Sequence, residues 1–302
     1  MRNNYAVQEV NFVHPQLHTN VDLHPYEQAL KEARYLTFPL EEMLDLLYQL
    51  NEFELGRSLL VNRRLTGYWR AYAILHAPHM HLKHPLEHWL INNAPIAIAT
   101  REIFKNFQAE IQKRLKNNMS LSAIPCGLMD TFLSLNYKST NNISLIGIDS
   151  DAESINDAKQ NVAKQGFTGA VSFHQKDAWN LGGFEKYDLI VSHGLNMYEY
   201  DEQRVILLYK EFYKSLNSNG TLILSFSTPP PALSDESTWK NFDVGAIQKQ
   251  KAILSEILNT KWQAFRTEAQ TRAYLESAGF TVASIIYDSQ GMAPIIIAEK
   301  HS

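Results

Sequence analysis

From Leu121 to the end of the chain, short apolar runs alternate with longer stretches whose apolar residues return every three or four positions. The runs that begin at Leu121 and that cover 143–149, 171–177, 187–192 and 220–226 predict five β-strands, with helices between them. One such helix carries Ile155, Ala158, Val162 and Ala163, opened by Ser150 and Glu153 as a capping box and stopped by Gly166. Another carries Val205, Leu208, Phe212 and Leu216. Alternating strands and helices predict βαβ units, hence a parallel sheet covered by helices on both faces. The last stretch departs from that rule. A helix over 268–278, opened by Thr267 with Gln270 and stopped by Gly279, leads into two apolar runs, 280–287 and 293–298. Only a few residues join these runs, so they should pair antiparallel.

The pattern before Leu121 is different. Met43, Leu46, Leu47, Leu50 and Phe53 predict an amphipathic helix over 41–55, and Ile103, Phe104, Phe107, Ile111 and Leu115 predict another over 95–115. The chain therefore divides into a helical appendage over 1–119 and a sheet domain over 120–302, with the polar stretch 116–120 at the boundary. Pro229, Pro230 and Pro231 end the fifth strand and start an insertion over about 229–266, helical at 245–258. Appendage and insertion are expected to roof a site together.

Charge and composition narrow the function. A chain of 302 residues with 45% apolar content and a net charge of −4 is an ordinary globular protein. The segment 57–75 mixes Arg63, Arg64, Tyr68, Trp69, Arg70 and Tyr72, a face that could touch nucleic acid. Without an extended basic run it reads instead as a half-buried helix with arginines at its rim. His76, His79, His81, His84 and His88 fall within thirteen residues broken by Pro78 and Pro85. A broken loop is a poor frame for a tetrahedral metal site, so no metal is expected, and the histidines are read as lining a substrate cleft. The single cysteine, Cys126, excludes an internal disulfide and a multi-cysteine zinc site. No apolar run approaches the roughly 20 residues that span a bilayer, and no signal-like segment opens the chain. A cytoplasmic protein without a membrane partner is expected, its oligomeric state open.

Candidate chemistry centres on Asp149, which closes the second apolar run. In open α/β sheets, ligands bind outside the carboxyl ends of the strands, where an acid can grip the two hydroxyls of a ribose. An acid there also suits a plain strand end. Ile148-Asp149 with its following helix, Asp177-Ala178 after the third strand, the fourth strand with His193, and the turn 216–220 together carry a resemblance. They resemble the class I S-adenosylmethionine-dependent methyltransferase family. The resemblance implies a Rossmann-like, seven-stranded, mostly parallel sheet with an antiparallel last strand. It also implies S-adenosylmethionine as cofactor, with Asp149 and Ser150 at the ribose and Asp177 and Ala178 at the adenine.

The chain departs from the family at the first motif, acid-any-Gly-any-Gly-any-Gly. Here Ala123 to Met129 holds Pro125, Cys126 and one glycine, Gly127. Glycine allows close backbone approach and positive φ, whereas proline fixes φ and has no N–H. The methionine end of the cofactor is therefore expected to be held differently, by Pro125, Cys126 and Gly127 with Asp130 supplying a carboxylate for the amino group. Asp130 equally suits an acid in the first turn of a helix, and Cys126 reads as a small buried residue rather than a nucleophile.

Methyl transfer is an in-line displacement, so positioning dominates and a base is needed only for a protonated acceptor. His193 and Tyr198 follow the fourth strand, where the acceptor should lie. His193 suits a base, a backbone cap or a partner for adenine. The segment 192–198 lacks the Asn/Asp-Pro-Pro-aromatic motif of amino-methylating DNA enzymes, which favours a small-molecule acceptor. Two alternatives stay open: a cofactor-binding or interaction protein without catalysis, and a dinucleotide-dependent oxidoreductase, against which the missing glycine fingerprint counts.

Overall fold

The computed structural model describes residues 21–182 and 186–301. Among these, six α-helices precede the sheet: α1 (His24–Glu32), α2 (Leu40–Leu50), α3 (Glu54–Asn62), α4 (Gly67–Ala71), α5 (Pro85–Asn92) and α6 (Pro95–Arg114). The chain continues through β1 (Ser120–Ala123), α7 (Asp130–Leu133), β2 (Ser144–Asp149), α8 (Ala152–Gln165), β3 (Ala170–Gln175) and β4 (Tyr187–Ser192). It ends with α9 (Glu202–Ser215), β5 (Leu216–Ser225), α10 (Val244–Lys251), α11 (Glu268–Ser277), β6 (Thr281–Ile286) and β7 (Ile295–Glu299).

The seven strands lie in the order β3-β2-β1-β4-β5-β7-β6. β1 to β5 pair parallel; β7 runs antiparallel to β6, as the short connection between them requires, and antiparallel to β5 as well. The sheet grows outward from β1 in one direction to β3 and then in the other from β4. A crevice therefore opens at the carboxyl ends of β1 and β4, the usual place for a ligand.

Strand periodicity sorts the core. Leu145, Leu189, Val191, Ile223, Ile295 and Ile297 face one side, where Ile103, Phe107 and Ile111 of α6 cover them. Ile146, Ile190, Leu222, Leu224, Ile296 and Ala298 face the other, under Leu208 and Phe212 of α9 and Leu275 of α11. Both faces are buried, so these strands read as nearly continuous apolar runs rather than alternating ones.

A third core lies outside the sheet. Met43, Leu47 and Leu50 of α2 pack with Leu55 and Leu59 of α3, Leu86 and Ile91 of α5, and Ala252, Ile253 and Ile257 of the insertion. Thr37 donates to Glu256 through its N–H at 2.9 Å and its hydroxyl at 2.6 Å, and the Ile96 N–H donates to Gln250 Oε1 at 2.7 Å. The amino-terminal helices and the insertion thus share one apolar cluster, while α6 belongs to the sheet.

Several expected elements need correction. The helix foreseen over 41–55 is two, α2 and α3, because the chain turns sharply after Leu50; a Cβ on Gly56 would lie 2.0 Å from the Leu50 carbonyl oxygen. α8 opens on Asp151 rather than Ser150, since the Asp151 carboxylate accepts from the Glu153 N–H at 3.2 Å and the Ser154 hydroxyl at 2.8 Å. β5 begins at Leu216, paired with Tyr187, earlier than its apolar run suggested. The capping box of Thr267 and Gln270 is present.

Candidate functional site

The crevice at the carboxyl ends of β1, β2 and β4 holds a cavity of about 310 Å³. Pro125, Gly127, Asp149, Ser150, Asp177, Ala178, His193 and Tyr198 all line it. Asp149, the last residue of β2, accepts from the Asp151 N–H at 3.1 Å, and burial raises its carboxyl above the ordinary range. Asp177 follows β3 and accepts the Trp179 N–H at 3.0 Å. Trp179 forms part of the wall, its indole N–H donating to the Arg204 carbonyl at 2.7 Å. Sequence patterning gave no signal for this aromatic wall residue.

The loop after β1 is built without the usual glycines. Ile124–Pro125 is a cis peptide, and Gly127 and Met129 both adopt positive φ, 50° and 62°. A Cβ on Gly127 would meet no atom within 4 Å, so the loop presents open space to the cavity at this point. Behind the loop, a Cβ on Gly147 would lie 2.6 Å from the Phe173 ring and 3.1 Å from Cys126 Cβ, so only glycine lets β2 pass. Asn161 of α8 holds the loop from below, donating to the Leu128 carbonyl at 2.7 Å and to Asp130 Oδ1 at 3.1 Å.

Cys126 and Asp130 do not line the main cavity; they line a recess of about 20 Å³ beside it, shared with Pro125, Gly127 and His193. Cys126 is buried, its Sγ 3.8 Å from Asp149 Oδ2, and burial with that carboxylate pushes its thiol up, which suits packing and not nucleophilic attack. Asp130 opens α7, so it is a first-turn acid, and burial raises its carboxyl to about 6 despite the nearby Arg70 charge.

A second cavity, about 190 Å³ and largely apolar, lies on the other side of His193. Its walls come from α3, α5, α6 and the insertion, through residues such as Leu59, Leu90, Phe104 and Leu254. It shares Leu65, Arg70, His193 and Tyr198 with the first cavity. His193 packs 3.8 Å from Phe107, centroid to centroid, and its Nε2 lies 2.8 Å from the Thr131 hydroxyl. Burial, then the Arg70 charge, holds His193 well below its ordinary value, so its ring is neutral near pH 7. Burial raises the Tyr198 phenol, so it keeps its proton.

Two expectations about the appendage need correction: Arg63 and Arg64 are exposed as foreseen, but not Arg70. Arg70 is not at a rim: it sits where both cavities and the recess meet. The histidines from His76 to His88 line none of these cavities. His84 instead caps α5, accepting the Leu86 N–H at 3.2 Å, and pairs with Glu52 at 3.0 Å. Among the described residues no group of His, Cys, Asp and Glu is placed to hold a metal, and no helix is long and apolar enough to cross a membrane.

A parallel sheet reversed at its last strand, with an acid at the end of β2 beside a nucleoside-sized cavity, defines a methyltransferase-type fold. The family described as "Methyltransferase domain" matches residues 115–270. The chain belongs to this family, the class I S-adenosylmethionine-dependent methyltransferases. It is 36% identical to a solved structure described as a possible exported protein from Bordetella parapertussis, over 92% of this chain and 93% of that one, with TM-score 0.87. It shares its fold with magnesium protoporphyrin IX methyltransferase from Synechocystis, solved with bound S-adenosylhomocysteine, at 15% identity over 78% of this chain and 94% of that one, TM-score 0.52. No curated protein matches the chain.

Proposed function

We propose that the protein transfers a methyl group from S-adenosylmethionine to a small, largely apolar acceptor. The observation that carries this reading is the pair of cavities, one flanked by Asp149 and Asp177 and the other apolar, meeting at Arg70, His193 and Tyr198. The residues present fit the cofactor. Asp149 suits the ribose hydroxyls, Ser150 lies beside it, Asp177 and Ala178 suit the adenine, and the open space at Gly127 leaves room for the methionine part. Bound there, S-adenosylmethionine supplies an electrophilic methyl group on a sulfonium.

The chain's own residues then position the acceptor. The apolar walls exclude water and hold its body, so that its nucleophilic atom reaches the shared boundary. Tyr198, protonated, donates a hydrogen bond there. His193 is neutral with Nε2 committed to Thr131, which makes it a weak base and favours an acceptor that is already deprotonated or needs no base. With the family assigned, the dinucleotide-dependent alternative drops away, and the non-catalytic one becomes an outcome of the test.

That test is transfer of a labelled methyl group from S-adenosylmethionine to fractions of a cell extract. Label should enter the organic-soluble, low-molecular-weight fraction. Ala97→Trp, which fills the apolar chamber, should abolish that transfer while leaving S-adenosylhomocysteine affinity within about three-fold. Label confined to protein or nucleic acid, or no transfer at all, contradicts the proposal.

A further inference from the structure

The loop after β1 lacks what a carboxylate needs. Pro125 has no N–H, the Gly127 N–H is engaged by the Asp149 carboxylate, and the Met129 N–H donates to the Cys126 carbonyl at 3.0 Å. The deficit is made up from outside the sheet domain. α4 is pressed directly onto the loop: a Cβ on Gly67 would sit 3.3 Å from Gly127 Cα. Three residues on, one helical turn, Arg70 is thereby fixed over the loop.

We infer that Arg70 binds the α-carboxylate of the cofactor's methionine moiety while Asp130 in the recess takes its ammonium, so that the amino-terminal region completes the cofactor site; this rests on the methyltransferase reading above. Arg70 and His193 are the residues that line both cavities and the recess. The guanidinium makes no hydrogen bond to any described residue and opens onto cavity space. Its planar fork matches a carboxylate in two parallel bonds. Asp130 faces it across a recess of about 20 Å³, room for one small polar group. Cation and anion are thus set side by side, complementary to the ammonium and carboxylate of one amino acid.

The measurement compares two ligands by calorimetry: S-adenosylhomocysteine, and 5′-methylthioadenosine, which has the nucleoside and thioether but no amino-acid end. Arg70→Ala should weaken S-adenosylhomocysteine about ten-fold or more and leave methylthioadenosine within about three-fold; Arg70→Lys should restore part of the loss. If the alanine variant does not fold, Arg70→Gln carries the same comparison. Equal loss of both ligands, or no loss of either, overturns the assignment. So does a selective loss in Arg64→Ala with none at Arg70, which would give the carboxylate to an arginine at the cavity edge. Wild-type protein that binds neither ligand refutes the methyltransferase reading itself, whatever the variants do.

Discussion

Asp149 and Asp130 are both carboxylates raised by burial, yet they face different tasks. Asp149 ends a strand and opens onto a cavity able to hold a ribose, whereas Asp130 sits in a recess with Asn161 and Arg70 as its partners. Asp130 has its folded value raised from 3.8 to about 6. Its stabilising contribution is therefore complete below about 3.8 and lost as pH rises through about 6. At pH 7.5 the ionised side chain costs stability in the unliganded protein. Asp130→Asn should accordingly melt at the same temperature as wild type or higher at that pH, a gain of up to about 3 kcal/mol, while S-adenosylhomocysteine affinity falls. In wild type, affinity should drop as pH falls below about 6, by at most about ten-fold per unit, because the ammonium loses its partner. Arg70 stays cationic, and His193 stays neutral over most of this window, its value lying well below 6.5. Melting curves and calorimetry between pH 5 and about 8 check both statements; a flat affinity profile contradicts the role of Asp130.

Among the elements, α4 and the insertion, far apart in sequence, both line the apolar chamber, through Arg70 and through Gln250 and Leu254. The insertion joins the amino-terminal apolar cluster through Ile253 and Ile257, and Leu254 faces the apolar chamber. Hydrogen exchange should therefore slow together in α3, α4 and the helical stretch 244–257 when S-adenosylhomocysteine and an acceptor are both bound. Protection limited to the segments around Asp149 and Asp177 contradicts a shared roof. The sheet elements were legible because the central strands are short apolar runs and the helices between them are bounded by caps such as Thr267 and the left-handed Gly166. Asp149, Asp177 and His193 could be placed because strand ends in this fold point at the crevice. Arg70 and Trp179 could not, since Arg70 reaches the site only through the packing of Gly67 against Gly127, a contact between segments sixty residues apart. The histidine cluster misled for the opposite reason: proximity in sequence is not convergence in space, and His84 is used to cap a helix.

Across the whole molecule, three apolar cores lie around one crevice, with the cavity that Asp149 and Asp177 line on the sheet side and the apolar chamber beneath the helical layer. His193 stands between them. Its folded value is depressed, so its contribution to stability is complete above about 6.5 and lost as pH falls through that value toward the folded one. The crevice is proposed to bind a nucleoside cofactor through Asp149. The direct measurement is calorimetric titration of S-adenosylhomocysteine into wild type and Asp149→Ala, with melting curves to establish that the variant is folded. Wild type should bind, and the variant should bind about ten-fold more weakly or worse, since hydrogen bonds to a charged group contribute about 1.5–3 kcal/mol. A folded variant with undiminished affinity, or a wild type that binds no S-adenosylhomocysteine, contradicts this role of Asp149.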